Sequence, residues 1–164
     1  MNRTIAINGS SSNHGQTSGL LNQLGIPIYH LQHGIEPAYE AILKADVVVF
    51  ATPTHWFNVS ALMKQLIDRM EEGPNYPCEG KAAFFIAVCN EDGGQQAINQ
   101  MMAPFNHMGF LIPPYASYIY NSNMAEKSED QWMLKGMTEL KSRLRLRPDQ
   151  TMMGALDEHF GMLR

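Results

Sequence analysis

Apolar residues in this chain fall into short continuous runs, separated by stretches where they recur every three or four positions. Short runs read as strands buried on both faces, and the wider spacing reads as amphipathic helix. Thr4–Asn8 is a first buried strand, stopping at Gly9; a short helix follows at about Gln16–Leu24, and Ile26–Leu31 is a second strand. Pro37 suits the first turn of a helix running to about Ala45. Asp46–Thr52 holds Val47-Val48-Val49-Phe50 and predicts a central strand. Val59, Leu62, Met63, Leu66, Ile67 and Met70 then line one helical face that ends near Gly73-Pro74. Ala82–Val88 is the fourth buried strand. Gly93-Gly94 opens a helix with Ile98, Met101, Met102, Phe105 and Met108 on one face and a kink at Pro104. Phe110–Pro113 and Ser117–Tyr120 share the last strand, interrupted by Pro113-Pro114. Ser128 and Gln131 form a capping box for a helix carrying Met133, Met137, Leu140 and Leu144.

Strands that alternate with helices of this length predict a parallel sheet covered on both faces. The order is that of an α/β, flavodoxin-like, doubly wound five-stranded sheet, which binds ligands at the carboxyl ends of its strands. The loops at 9–17, 52–59 and 89–95 should therefore converge on one site. Residues 1–147 make the domain, and 148–164 a C-terminal tail. Met152, Met153, Leu156, Phe160 and Leu163 recur there at helical spacing, which suggests a subunit contact and a homodimer or higher homo-oligomer.

Composition narrows the class. The chain has 164 residues, with 12 Lys+Arg against 16 Asp+Glu, a net charge of −4. That mild acidity argues against a nucleic-acid partner. No apolar run is long enough for a membrane span, and Met1-Asn2-Arg3 leads straight into a strand without a signal sequence. Cys78 and Cys89 form no C-x-x-C motif or disulfide framework, which fits a reducing cytoplasm.

The unusual residues sit in the three loops. The first, Gly9 to Thr17, has no acid but several hydroxyls, and it feeds a helix N-terminus. Unpaired N–H groups there suit an anion, with Ser10, Ser12, Asn13, Gln16 and Thr17 as further partners. Gly-Lys-[Ser/Thr] and G-x-G-x-x-G are both absent, so one phosphate is favoured over a pyrophosphate. The alternative is an ordinary capped turn. The second loop carries Pro53, Thr54, His55, Trp56, Phe57 and Asn58. Adjacent aromatics there invite a stacked planar ligand, unless they plug the sheet end or an interface. The third runs from Cys89 and Asn90 to Gly93 and Gly94, where the backbone either approaches a ligand closely or simply turns.

Taken together, these loops resemble the NAD(P)H-dependent FMN reductase family of flavodoxin-like proteins, near its iron–sulfur flavoprotein branch. The family's G-S-x-x-x-x-G-x-T phosphate loop is matched by Gly9-Ser10-Ser11-Ser12-Asn13-His14-Gly15-Gln16-Thr17. Its S-P-x-Y-W-x-N-x-S-A-x-x-K-x-x-x-D-R segment is matched by Thr52 to Ala61, then Lys64, Asp68 and Arg69, and its G-G-Q-E by Gly93-Gly94-Gln95-Gln96. The resemblance covers about residues 4 to 120. It implies FMN as cofactor and NAD(P)H as co-substrate, with electrons passing on to a small acceptor. Ser10, Ser12, Gln16 and Thr17 would hold phosphate. Pro53, Thr54, His55, Trp56 and Asn58 would border the ring, with Asn90 and Gly93 on its other side. Phe57, Cys89 and Gly94 adjoin these positions.

Three departures from the family pattern matter. Ser12 stands where many members have arginine, so hydroxyls and dipoles alone would meet the phosphate charge. His55 replaces the tyrosine before Trp, and no cysteine cluster is present to hold an iron–sulfur centre. The hard chemistry would belong to the flavin, with His55 as the candidate proton donor. No second nucleotide-binding domain is discernible, so donor and acceptor would share one open face, with ping-pong kinetics. A flavodoxin-type electron carrier and a scaffold without flavin are the alternatives. His30 and His33 have no neighbouring Cys or acid and read as structural or surface residues, not metal ligands. Lys64 and Asp68 read as a solvated i,i+4 pair. Arg143, Arg145 and Arg147 suit a helix C-terminus or, alternatively, a nucleotide phosphate.

Overall fold

The computed structural model describes residues 3–73 and 77–125, with the side chains of 124 and 125 left aside. Five strands form one parallel sheet in the order β2-β1-β3-β4-β5. They are β1 (Thr4–Asn8), β2 (Ile28–His30), β3 (Val47–Pro53), β4 (Ala82–Cys89) and β5 (Ser117–Asn121). The helices are α1 (Gln16–Asn22), α2 (Ile35–Lys44), α3 (Ala61–Glu71), α4 (Gly94–His107) and the short α5 (Ser122–Ala125). This is the doubly wound arrangement that the apolar pattern predicts. The reversal of strand order beside β1 puts the ends of β1 and β3 next to each other.

The side-chain period of two divides each central strand between two cores. Ile5, Ile7, Val48, Phe50, Ala83 and Phe85 face Ile42 of α2, Met63, Leu66 and Met70 of α3, and Ile98, Met101 and Phe105 of α4. Ala6, Val49, Ala51, Phe84 and Ile86 face the other way, toward Leu20 and Leu21 of α1. Phe50 anchors the first core. Its ring stacks 3.9 Å from Phe105 and meets Phe110 edge-on at 5.5 Å. Such pairs add about 0.5–1.5 kcal/mol each beyond simple burial. Met63, Met70 and Met101 are fully packed against the sheet, and Met102 lies partly buried at its margin.

Several element ends differ from the sequence reading. β2 is three residues long, because Leu31–His33 winds into a 3-10 turn. α1 ends at Asn22, where Gln23 donates its N–H to Leu20 O. Val59 precedes α3 instead of opening it, since Ser60 is the cap. Pro104 sits inside α4, and the helix continues past it to His107. The largest difference is in the last strand. Only Leu111 of the 110–113 stretch pairs with the sheet, through a single bridge to Ala82. Pro113 and Pro114 have no N–H to offer a ladder, and the chain rejoins the sheet at Ser117. The Ser128 helix, the arginines at 143–147 and the 148–164 tail lie outside the described residues.

Candidate functional site

Hydrogen bonds within the first loop wind it into consecutive side-chain turns. Ser10 N–H donates to Asn8 Oδ1 at 2.9 Å, Ser12 N–H to Ser10 Oγ at 3.1 Å, and His14 N–H to Ser12 Oγ at 3.3 Å. Ser18 Oγ donates back to Ser12 O at 2.8 Å. Ser10 and Thr17 are buried, while Ser12 and Gln16 are exposed. The loop enters α1 at Gly15, which supplies no side-chain cap, and the first turn holds no acid.

Two residues with no place in the sequence-level site support this loop. His30 Nδ1 lies 3.1 Å from Asn8 Nδ2, and His33 Nε2 lies 3.1 Å from Asn13 Nδ2. Asn8 Oδ1 is committed to the Ser10 N–H, so its amino group must face both Ser18 Oγ and His30. His30 therefore accepts on Nδ1 and carries its proton on Nε2. Partial burial, and after it the nearby His33, push its pKa below the ordinary value and favour that neutral form. The structural reading of the two histidines thus gains a purpose, which is to hold the first loop. Histidine spacing alone gives no sign of it.

The second loop leaves β3 through a Thr54 N–H bond of 2.7 Å to Val88 O. It then makes a tight hairpin. His55 and Asn58 exchange both backbone hydrogen bonds, at 2.9 and 3.0 Å, around Trp56 and Phe57. Both central residues have positive φ, 49° and 65°. That geometry belongs to the type I′ turn, where Asn and Gly are the usual occupants. Left-handed backbone costs residues with a bulky side chain about 1–2 kcal/mol each. The turn nevertheless holds out two aromatics, Trp56 at 91% exposure and Phe57 at 50%. Strain and exposure thus coincide at one turn, a combination that clusters at functional sites.

The three loops are locked to one another. Ser60 caps α3 by accepting from Met63 N at 3.1 Å, and its Oγ donates to Gly9 O at 2.6 Å. Its own N–H donates to Thr52 Oγ1 at 2.9 Å. Gly93 has φ of 87°, and a Cβ there would lie 2.9 Å from Phe57 Cα and 3.0 Å from Thr54 Cγ2. Only glycine lets the third loop close on the second. Asn90 Oδ1 accepts from Ser122 Oγ at 2.7 Å, and Asn121 Nδ2 donates to Glu91 O at 2.5 Å. The end of β5 and the start of α5 therefore tie into the third loop, a contribution that no sequence motif announces.

Cys89 is buried beside Gly94. Its thiol is pushed above the ordinary value chiefly by burial, with the Gly94 N–H pulling the other way and the Asp92 carboxylate adding to the rise. Cys78, at the opposite end of the sheet, is pushed up to about 12 by burial. Neither thiol is set up as a thiolate at neutral pH. Among the described residues no group of His, Cys, Asp and Glu could hold a metal ion.

Among the described residues, two buried side-chain oxygens have no hydrogen-bond partner, Asn13 Oδ1 and Thr54 Oγ1. One lies in the first loop and the other in the second. Buried polar atoms without partners cost free energy unless a ligand or water completes them. Asn13 is also reversible. Turned over, it gives Oδ1 to the N–H of the His33 tautomer that carries hydrogen on Nε2 and aims its amino group where Oδ1 now points, a donor suited to phosphate. The hydroxylic first loop, these two oxygens and the exposed aromatic pair fit a phosphorylated planar cofactor.

Comparison with known proteins agrees with this geometry. The model of the NADPH-dependent FMN reductase family matches residues 27–124. The chain is 31% identical over 104 residues to YwqN of Bacillus subtilis, a protein named as an NAD(P)H-dependent FMN-containing oxidoreductase. That match takes in 52% of this chain and spans 58% of the relative's length. Among solved structures, an apo NADH:FMN oxidoreductase, EMOB, superposes with a TM-score of 0.70 at 18% identity, over 93% of this chain and 95% of its own. The Trp repressor binding protein of Bacillus subtilis gives 0.69 at 22% identity, over 88% and 99%. Both likenesses are likenesses of fold.

Proposed function

This chain belongs to the NADPH-dependent FMN reductase family, and on that premise we propose that it is an NAD(P)H-dependent oxidoreductase holding FMN where the three loops meet. The observation that carries the reading is the pair of unpartnered buried oxygens, Asn13 Oδ1 and Thr54 Oγ1, on the two loops assigned to phosphate and ring. When bound, FMN would supply the redox chemistry, hydride transfer from a nicotinamide and onward reduction of a small-molecule acceptor.

The protein's own residues bind and orient. Ser10, Ser12, Asn13, Gln16 and Thr17 receive the phosphate, on a loop that His30 and His33 keep in shape. No arginine stands at Ser12, so neutral donors carry that contact. Pro53, Thr54, Trp56, Phe57 and Asn58 border the ring on one side, and Asn90, Gly93 and Gly94 on the other, with Cys89 packed beneath Gly94. His55 opens the aromatic turn, lies exposed, and is assigned proton delivery at the ring edge. Donor and acceptor use the same open face in turn. The reading extends to a homodimer completed by residues 148–164, on the strength of their apolar pattern, and to a cytoplasmic location, on the strength of two free cysteines. Among the described residues no helix is long and apolar enough to cross a membrane.

The visible spectrum of the purified protein tests the reading. After reconstitution with FMN, anaerobic NADPH or NADH should bleach the flavin band within a turnover. A band that bleaches only with a separate reductase would mean an electron carrier. Protein that stays colourless with excess FMN would mean a scaffold.

A further inference from the structure

Gln100, near the middle of α4, reaches across to the second loop and makes three hydrogen bonds with it. Its Oε1 accepts from Val59 N at 3.1 Å. Its Nε2 donates to Phe57 O at 3.2 Å and to Asn58 Oδ1 at 3.0 Å. The polarity of this arrangement is forced. The Val59 N–H can only donate, so it must face the oxygen of the carboxamide, and the amino group then faces Phe57 and Asn58. Asn58 is thereby oriented as well. With its oxygen toward Gln100, its Nδ2 donates to Trp56 O at 2.7 Å. One backbone N–H sets two carboxamides in series. The two carbonyls they hold belong to Trp56 and Phe57, the two residues of this turn at positive φ.

We infer that Gln100 is a positioning residue of the ring site, clamping the Trp56–Phe57 turn in a left-handed conformation that these side chains resist. The inference rests on the reading of this turn as part of the flavin site. Gln100 acts only through Phe57, Asn58 and Val59, and it is partly exposed on the helix, so substituting it leaves both cores intact.

The discriminating variant is Gln100→Glu. It keeps the length of the side chain and the acceptor for Val59. It also sets a carboxylate oxygen against Phe57 O and Asn58 Oδ1, two acceptors. Asn58 can turn over to meet the carboxylate only by withdrawing its amino group from Trp56 O and placing an oxygen there. Protonating the new carboxyl restores one donor.

The measurement uses a Trp132→Phe background, in which Trp56 is the remaining one of the chain's two tryptophans. Trp56 emission, acrylamide quenching and near-ultraviolet circular dichroism are recorded without flavin between about pH 4 and 7.5, spanning the ordinary glutamate range. The parent carries the same His55, Glu91 and Asp92, so its titration is the baseline; thermal unfolding verifies that each variant is folded. Gln100→Glu should differ from the parent at neutral pH and return toward it as the carboxyl protonates. Gln100→Ala should differ at every pH. A Gln100→Glu protein matching the parent at neutral pH overturns the inference, and so does a difference that acid leaves untouched. FMN titration by flavin fluorescence should then show about tenfold weaker binding by Gln100→Glu at neutral pH, a loss of the size expected for misplaced hydrogen-bond partners. A disturbed turn with unchanged FMN affinity upholds the clamp and removes the turn from the ring site, so the two readings fail separately.

Discussion

Trp56 is the residue at which sequence and structure carry the most different information. The sequence marks it as costly, an aromatic in a loop beside a second aromatic. The structure adds that it sits at φ 49° and almost wholly in solvent. Such a residue contributes little packing and imposes backbone strain, so its presence opposes stability. Trp56→Asn should therefore leave the unfolding free energy unchanged or raise it by at most about 1 kcal/mol, because asparagine tolerates left-handed backbone best among the non-glycine residues. The same variant should bind FMN more weakly. Paired thermal unfolding and flavin titration check both halves; a melt several degrees lower would show that the indole is packing material. The strain itself is invisible in sequence, because it comes from the pairing of His55 with Asn58 across the turn and not from the propensity of either aromatic.

At the scale of elements, boundaries follow from caps and from missing donors more than from apolar spacing. α3 begins at Ala61 because Ser60 accepts from Met63 N, although Val59 fits the helical stripe. The same hydroxyl donates to Gly9 O, so one side chain starts a helix and ties the first loop to the second. Ser60→Ala removes both contacts from a buried position and should cost about 1–3 kcal/mol of unfolding free energy. It should also weaken FMN binding, through a loosened first loop. Denaturant unfolding and flavin titration on the same protein test this, and a stability loss with intact FMN affinity would confine Ser60 to capping. The last strand makes the complementary point. Phe110–Pro113 has strand-like composition, yet the two prolines at 113–114 leave it a single bridge, since a ladder needs N–H groups they lack. The candidate loops at 9–17, 52–59 and 89–95 were all legible, because each begins where an apolar run stops. The supporting contacts from His30, His33, Gln100, Asn121 and Ser122 were not, since each spans tens of residues and depends on which strand lies beside which.

For the whole molecule, alternation of strand and helix sufficed to specify a doubly wound sheet, and the apolar pattern of 148–164 motivates a subunit contact. Deleting residues 149–164 should lower the mass measured by light scattering from that of an oligomer to that of a single chain. An unchanged oligomer would sink that assignment. What the sequence determined by itself was the fold class, the two-sided burial of the central strands and the three loops at the strand ends. Those depend on local periods of hydrophobicity and on residue types at strand ends, which the chain carries in linear order. What only the tertiary structure decided was how those loops are held: the strained aromatic turn, the histidines behind the first loop, the Gln100 clamp and the two oxygens left without partners. The histidine and Gln100 contacts join groups twenty or more residues apart, which meet only once the sheet order has brought the strand ends together, and the turn and the two oxygens follow from backbone geometry that residue types do not announce.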